Sequence, residues 1–305
     1  MHANQNNFLN FMLFLFIVFF VLVLFKTAWI NDDAYITFRT IDNFVNGYGL
    51  RWNIAERVQS YTNPLWLFLL SGFYFVTHEI YFTSLYVSIL LTMISVSIVV
   101  FKIATSYFNA FLSCTLLILS KAFIDFSASG LEQPLLYVII ASFFVIYLYR
   151  DHHDTILLLA LLAALGTLTR LDAILFFIFP LLWILYKNNN FFLKIIIGFT
   201  PLILWELFSL IYYGSLFPNT AYAKLNTGIS SLEAMEQGLI YIYFNWTLDP
   251  LTIITLVSAI FLPLLLKQWK LLPLSLSILI TIFYVIKIGG NFMGGRFICS
   301  PFLIA

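Results

Sequence analysis

The sequence predicts an all-α polytopic membrane protein, and three observations predict it. Of its 305 residues 62% are hydrophobic and 19% aromatic, 34 of them Phe, and mean hydropathy is +0.98; a soluble domain of this length does not bury so much apolar surface. The apolar runs are continuous and do not alternate, which excludes a β-barrel. Charge, only 10% of the chain, collects in the connections between runs.

The first run, Phe8 to Phe25, has no basic segment before it and no small-x-small cleavage site after it, so it is a retained anchor. Further apolar segments fall at 64–77, 81–101, 108–127, 134–149, 156–169, 173–186, 195–212, 251–266, 271–288 and 297 onward. Together they predict a bundle of about 11 transmembrane or re-entrant helices, taking roughly 20 residues as one crossing. Several are shorter, as helices that end inside a membrane or beside a cavity are. Residues 1–305 form one membrane module with polar inserts at 26–63 and 213–250 and no internal repeat. Too few residues follow Arg296 for another crossing of about 20, which predicts a chain truncated at its C-terminus.

Sidedness follows from the basic connections. Arg150 to Asp154, Lys187 to Lys194 and Lys267 to Lys270 are short and carry Lys or Arg, so the positive-inside rule assigns them to the cytoplasm. The alternate connections then face outward: Thr169 to Asp172, Tyr213 to Asp249 and Gly289 to Arg296, with Ser129 to Gln133 on the same side. Placing Asp32 there needs an even number of crossings between 64 and 133, which an extra turn near Lys121 to Asp125 or a segment that dips without crossing supplies.

Net charge of +1 and the absence of a Lys/Arg run exclude nucleic acid as a partner. Cys114 and Cys299 lie in or beside apolar runs and read as buried thiols. His78, His152 and His153 have no metal-ligand spacing, and no Ser/His/Asp grouping, Cys-x-x-Cys pair or His-Glu-x-x-His run supports a hydrolase or redox enzyme.

The charge-bearing stretches carry what chemistry there is. Asp32 and Asp33 follow Asn31, a helix cap, and the seven residues from Asp32 to Arg39 make two turns, so that a carboxylate and a guanidinium share one face. Asp32 shares Arg39's face; Asp33, about 100° round the helix, does not. Acidic residues also favour a first helical turn for its dipole alone. Arg170 and Asp172 separate two short runs; a single helix over 156–186 would be about 46 Å long, so a hairpin is expected, with its charges turned to the protein interior or anchoring the turn. Glu132 suits a second acid or a first-turn residue. Gly289-Gly290-Asn291-Phe292-Met293-Gly294-Gly295-Arg296 ends in a cation, and its glycines let backbone N–H groups approach an anion, or form a plain tight turn. Lys224 suits a phosphate or the membrane interface. Trp29, Trp52, Trp66 and Trp246 fit an interfacial aromatic belt before they fit sugar platforms. Asn245-Trp246-Thr247 is a glycosylation sequon, meaningful only in a eukaryotic host.

Taken in order, Asp32-Asp33-Ala34-Tyr35-Ile36-x-Phe38-Arg39, Asn46-Gly47-x-Gly49-Leu50, Glu56-Arg57-Val58, Tyr61-Thr62-Asn63-x-Leu65-Trp66, Ser129-Gly130-Leu131-Glu132, Thr169-Arg170-x-Asp172 and Gly289-Gly290-Asn291-Phe292-Met293-x-x-Arg296 resemble bacterial GT-C glycosyltransferases, terminal arabinofuranosyltransferase-like proteins among them. The resemblance implies a GT-C-like bundle in the bacterial cytoplasmic membrane, with its active site facing the periplasm or cell exterior. It implies a polyprenyl-phosphate sugar donor and a glycan, lipid or protein acceptor. The acidic pair, here Asp32 and Asp33, would supply the catalytic carboxylate. Arg39, Arg296, Arg170 and Lys224 are then candidates for the donor phosphate, and Glu132, Asp172, Asn291, Tyr61 and Asn63 are further site candidates. A divalent cation between Asp33 and Glu132 belongs to this fold class, but no spacing supports one. The rival readings are a transporter or flippase of lipid-linked substrates, which would distribute charges from both sides and show paired halves, and a non-catalytic envelope-assembly subunit.

Overall fold

The computed structural model describes residues 2–187, 189–225 and 228–305, and every regular element among them is helical. Helix α1 (His2–Thr27) leads through a turn into the amphipathic α2 (Ala34–Val45), followed by α3 (Pro64–Thr77), α4 (Tyr81–Ile98), α5 (Tyr107–Leu119), α6 (Lys121–Ser127), α7 (Gln133–Tyr149) and α8 (His152–Thr169). The second half runs through α9 (Ile174–Lys187), α10 (Phe192–Gly198), α11 (Thr200–Tyr213), α12 (Asn219–Leu225), α13 (Ser231–Leu248), α14 (Pro250–Leu265), α15 (Leu272–Lys287) and α16 (Cys299–Ile304). Local sequence sets many of these boundaries. Proline occupies the first turn of α3, α7, α11, α14 and α15, where its missing N–H has no intrahelical partner to lose. Ser106, Ser120, Asp151, Ser230 and Asp249 each accept a backbone N–H from the first turn they open, as N-caps do.

The number of crossings differs from the expected eleven. Among the described residues, three helices are long and apolar enough to cross a membrane, Tyr81–Ile103, His152–Thr169 and Trp269–Lys287, and counting each bent pair as one crossing gives up to six. Apolar runs overcount because length in residues hides bends. The run 108–127 is α5 and α6 at 75°, the run 195–212 is α10 and α11 at 51°, and α13 meets α14 at 114°. Helix α3, with 14 residues, reaches only about 21 Å at 1.5 Å per residue. The insert expected over 213–250 is largely helical, its α13 opened by Ser230 accepting from Glu233 N at 3.2 Å.

Two of these corners hold each other. Asp249, 5% exposed, caps α14 through Thr252 N at 3.1 Å and also accepts from Ala122 N at 2.9 Å in the first turn of α6. One carboxylate thus satisfies helix N-termini from two bends. Asp249→Ala removes a cap and orphans buried donors, and is expected to lower unfolding stability by about 2–4 kcal/mol, measured by thermal unfolding in detergent.

The basic and acidic connections separate along α7 and α8. At one end of this pair Lys270 Nζ donates to Leu148 O, Tyr147 OH donates to Lys270 O at 3.4 Å, and Lys194 Nζ donates to His153 O at 3.2 Å. At the other end stand Glu132, before α7, and Arg170, after α8. The hairpin expected at Arg170 is present, with α8 packed on α9. Cys114 and Cys299 are free and buried.

Candidate functional site

The site begins with backbone. Trp29 N donates to Ala128 O and Asn31 N to Ser129 O, both at 3.0 Å, which fastens the connection after α1 to the connection before α7. Gly130 makes that approach feasible. Its φ is +74°, and a Cβ there would lie 3.0 Å from Ile30 Cδ1 and 3.2 Å from Ala34 Cβ; a side chain would be both strained and obstructed. Trp66, fully buried and not interfacial, donates its indole N–H to Gly130 O at 3.2 Å.

On this seam the Asp32–Asp33 turn is shaped by Asn31, whose Oδ1 accepts from Asp33 N at 2.9 Å. The two carboxylates diverge, as neighbours on a helical turn do. Asp32 is exposed, with Oδ1 accepting Asp33 N at 2.9 Å. Asp33 turns inward, its Oδ2 accepting from Arg296 Nη1 at 2.9 Å. Thr37, one turn beyond Asp33 and 4% exposed, donates to Asn63 Oδ1 at 3.1 Å, and Asn63 Nδ2 donates to Glu132 Oε2 at 3.1 Å.

Glu132 is the centre of the group. Its Oε1 lies 3.2 Å from Arg170 Nη1 and 3.7 Å from Arg296 Nη2, and the residue is 2% exposed. Arg170 holds Asp172 in a two-pronged pair, Nη2–Oδ2 at 2.7 Å and Nε–Oδ1 at 3.0 Å, and lies over the Phe297 ring at 5.2 Å. Burial works against the Arg170 charge, but Asp172 first and Glu132 after it more than restore it, so its pKa is raised above the ordinary value. Three carboxylates and two guanidiniums, drawn from four connections, therefore share one end of the bundle. Arg296 Nε is buried with no partner among the described residues. Below the group Cys299 Sγ donates to Arg296 O at 3.1 Å.

The glycine-rich connection, which by sequence suits an anion cradle or a plain tight turn, packs its backbone against α13. Gly295 N–H donates to Asn245 Oδ1 at 2.6 Å, and Gly290, with φ +70°, leaves the space that the Tyr241 ring fills, only 2.5 Å from where a Cβ would sit. Asn291 Oδ1 accepts from Met293 N at 2.9 Å, and Met293 Sδ in turn accepts from Asn31 Nδ2 at 3.3 Å. The connection is shaped to deliver Arg296.

Other sequence candidates lie elsewhere. Arg39 does not join Arg170 and Arg296: its Nε donates to Trp52 O at 2.9 Å and its guanidinium lies 4.4 Å over the Trp52 ring. Tyr61, 2% exposed, meets Tyr213 OH at 2.9 Å, and Tyr213 donates to Leu50 O at 2.7 Å; this ties two connections together beside the cluster, and burial raises the Tyr61 phenol. The side chain of Lys224 lies outside the described residues. No group of three His, Cys, Asp or Glu that could hold a metal ion occurs among the described residues, and the carboxylates of Asp33 and Glu132 are bridged by the Arg296 guanidinium. Sequence reasoning missed Thr37, and read Asn31 only as a helix cap and Asn245 only as part of a sequon; a signal for Thr37 was its i+4 spacing from Asp33.

An apolar cavity of about 380 Å³, lined by Leu50, Pro64, Phe68, Leu168, Leu204 and Trp205 among others, adjoins the group in sequence: Pro64 follows Asn63, and Leu168 is two residues before Arg170. The chain is 24% identical, over 90% of its length, to a terminal β-(1→2)-arabinofuranosyltransferase of Mycobacterium tuberculosis (strain ATCC 25618 / H37Rv), and spans 51% of that relative. No family model matches the chain and no solved structure matches it.

Proposed function

We propose that this chain is a GT-C membrane glycosyltransferase that moves a sugar from a polyprenyl-phosphate donor to an envelope glycan, lipid or protein on the outer face of the bacterial cytoplasmic membrane. The observation that carries the reading is the convergence of Asp33, Glu132, Arg170, Asp172 and Arg296 beside the exposed Asp32, which makes no ion pair among the described residues. Asp32 accepts the proton of the acceptor hydroxyl. The acceptor oxygen attacks the anomeric carbon, the bond from that carbon to the phosphate oxygen breaks, and its electron pair leaves with polyprenyl phosphate. Arg296, whose Nε–H has no partner among the described residues, and Arg170 hold the developing phosphate charge. The cavity along Leu168, Leu204 and Trp205 takes the apolar chain of the donor. Direct displacement inverts the anomeric centre, and Arg296 supplies the positive charge that a divalent ion would otherwise bring between Asp33 and Glu132.

The test uses the purified chain in bilayer nanodiscs with a polyprenyl-phosphate pentose labelled in the sugar and an arabinofuranose disaccharide acceptor. Expected are labelled product of inverted configuration and one polyprenyl phosphate released per transfer, both unchanged in excess chelator. Movement of intact donor across liposomes without cleavage would establish the flippase reading instead.

A further inference from the structure

From the exposed face of α2 we infer an acceptor subsite: Tyr35, Arg39 and Trp52 form a platform that holds a glycan chain leading away from Asp32. The inference rests on the transferase reading and adds that the acceptor is a saccharide of several residues, bound along the helix. Asp32, Tyr35 and Arg39 are spaced by three and four residues and so line one face; all three are exposed, Tyr35 by 51%. At 1.5 Å rise per residue the face extends about 10 Å from Asp32 to Arg39, the length of about two sugar units.

The Arg39 end is built. Asn43 Nδ2 donates to Arg51 O at 2.9 Å and to Trp52 O at 3.0 Å, fixing the strand of chain that carries Trp52 against α2. Arg39 Nε donates to the same Trp52 carbonyl, and the guanidinium carbon sits over the indole, 4.4 Å from the ring centroid. The ring contact and the backbone bond restrain the group and leave Nη1 and Nη2 without a partner among the described residues, while Trp52 stays 36% exposed. No carboxylate pairs with Arg39 among the described residues. An exposed arginine held in one orientation with its two outer nitrogens free presents a fork of donors for neighbouring oxygens, and the half-exposed Tyr35 ring offers an apolar face of the kind that packs on a sugar's C–H side. The far end of the face closes where Tyr74 OH and Asn46 Nδ2 both take Asp42 Oδ1, at 2.7 and 2.9 Å. A face that begins at the proposed base and continues into a fixed donor fork suits a hydroxyl-rich chain whose terminal residue reacts at Asp32. Remote contacts of this kind position the reacting hydroxyl.

The experiment compares arabinofuranose oligosaccharides of one to four residues, by transfer and by equilibrium binding, for the intact chain and for Tyr35→Ala, Arg39→Gln and Trp52→Ala in nanodiscs. Lengthening the acceptor from one to three residues is expected to raise kcat/KM and binding by about tenfold or more, the scale of one or two charge-assisted hydrogen bonds. Each variant loses most of that gain, keeps its rate on the monosaccharide within about twofold and keeps its donor KM. Loss of length-dependent binding in the variants without any transfer by the intact chain would sink the transferase reading and leave the platform standing. Equal response of variants and intact chain across lengths, or Trp52→Leu retaining the full gain as an interfacial anchor would, overturns the platform itself.

Discussion

Arg170→Met is expected to lower the unfolding stability of the chain by about 3–5 kcal/mol, the loss typical when one partner of a buried ion pair is removed. The arginine side chain is 12% exposed and faces Asp172, 17% exposed, and Glu132, 2% exposed. Methionine fills similar volume and keeps contact with the Phe297 ring, so the loss reads out charge and hydrogen bonding rather than a cavity. Without Arg170, Asp172 loses its ion-pair partner among the described residues, and Glu132 keeps only the 3.7 Å contact to Arg296 and the hydrogen bond from Asn63. Arg170→Lys supplies one point charge where the native pair uses two parallel N–H bonds to Asp172, and falls between the two. Adding Glu132→Gln to Arg170→Met removes the stranded charge and recovers part of the loss, a coupling that a double-mutant cycle in detergent measures. Additive losses in that cycle would show that the two residues stabilise the fold independently.

The connections that carry the polar groups were legible in the sequence, whereas the ends of α5, α6, α10, α12 and α13 were not among the expected boundaries. Prolines at first-turn positions and the Ser and Asp caps are local signals, and local signals survive folding. The separation of basic connections from Glu132, Arg170 and Arg296 followed from charge distribution alone. Bends were not legible. The corner between α5 and α6 depends on Ser120 and on Asp249, 127 residues beyond Ala122, and no property of the run 108–127 announces a partner so far along the chain.

The candidate site was legible as a set of residues and not as an arrangement. Motifs nominated Asp33, Asn63, Glu132, Arg170, Asp172 and Arg296, yet the contacts among them cross separations of up to 263 residues, where no periodicity applies. The i to i+7 relation of Asp32 and Arg39 assumed one helix from Asp32 onward; α2 begins at Ala34, Asp32 stands in the turn before it, and both side chains are exposed. The inward face follows from Asp33 and Thr37, and choosing between them needed the position of Arg296. Trp66 shows the same limit: an aromatic near the end of an apolar run suits an interface, and only the approach of Gly130 explains why this one is buried and donates its N–H inward.

Asp32→Asn is expected to reduce kcat for sugar transfer by about 10²–10⁴-fold, the contribution of a positioned general base, with donor KM and unfolding temperature unchanged. The side chain is exposed, makes no ion pair among the described residues and accepts only Asp33 N through Oδ1, a bond the asparagine oxygen preserves. What the substitution removes is the ability to take a proton. Asp33→Asn acts differently. It ends the 2.9 Å charge pairing with Arg296 and changes how that guanidinium is presented, so its principal effect falls on donor KM, with a smaller fall in kcat. Steady-state kinetics on the two variants, with inversion of product configuration checked by NMR, separate the roles: a base mutant loses kcat at every donor concentration, whereas a phosphate-site mutant regains rate as donor rises. If Asp32→Asn kept its rate within about threefold while Asp33→Asn lost the full 10²–10⁴, the base would be Asp33, released from Arg296 by the incoming phosphate.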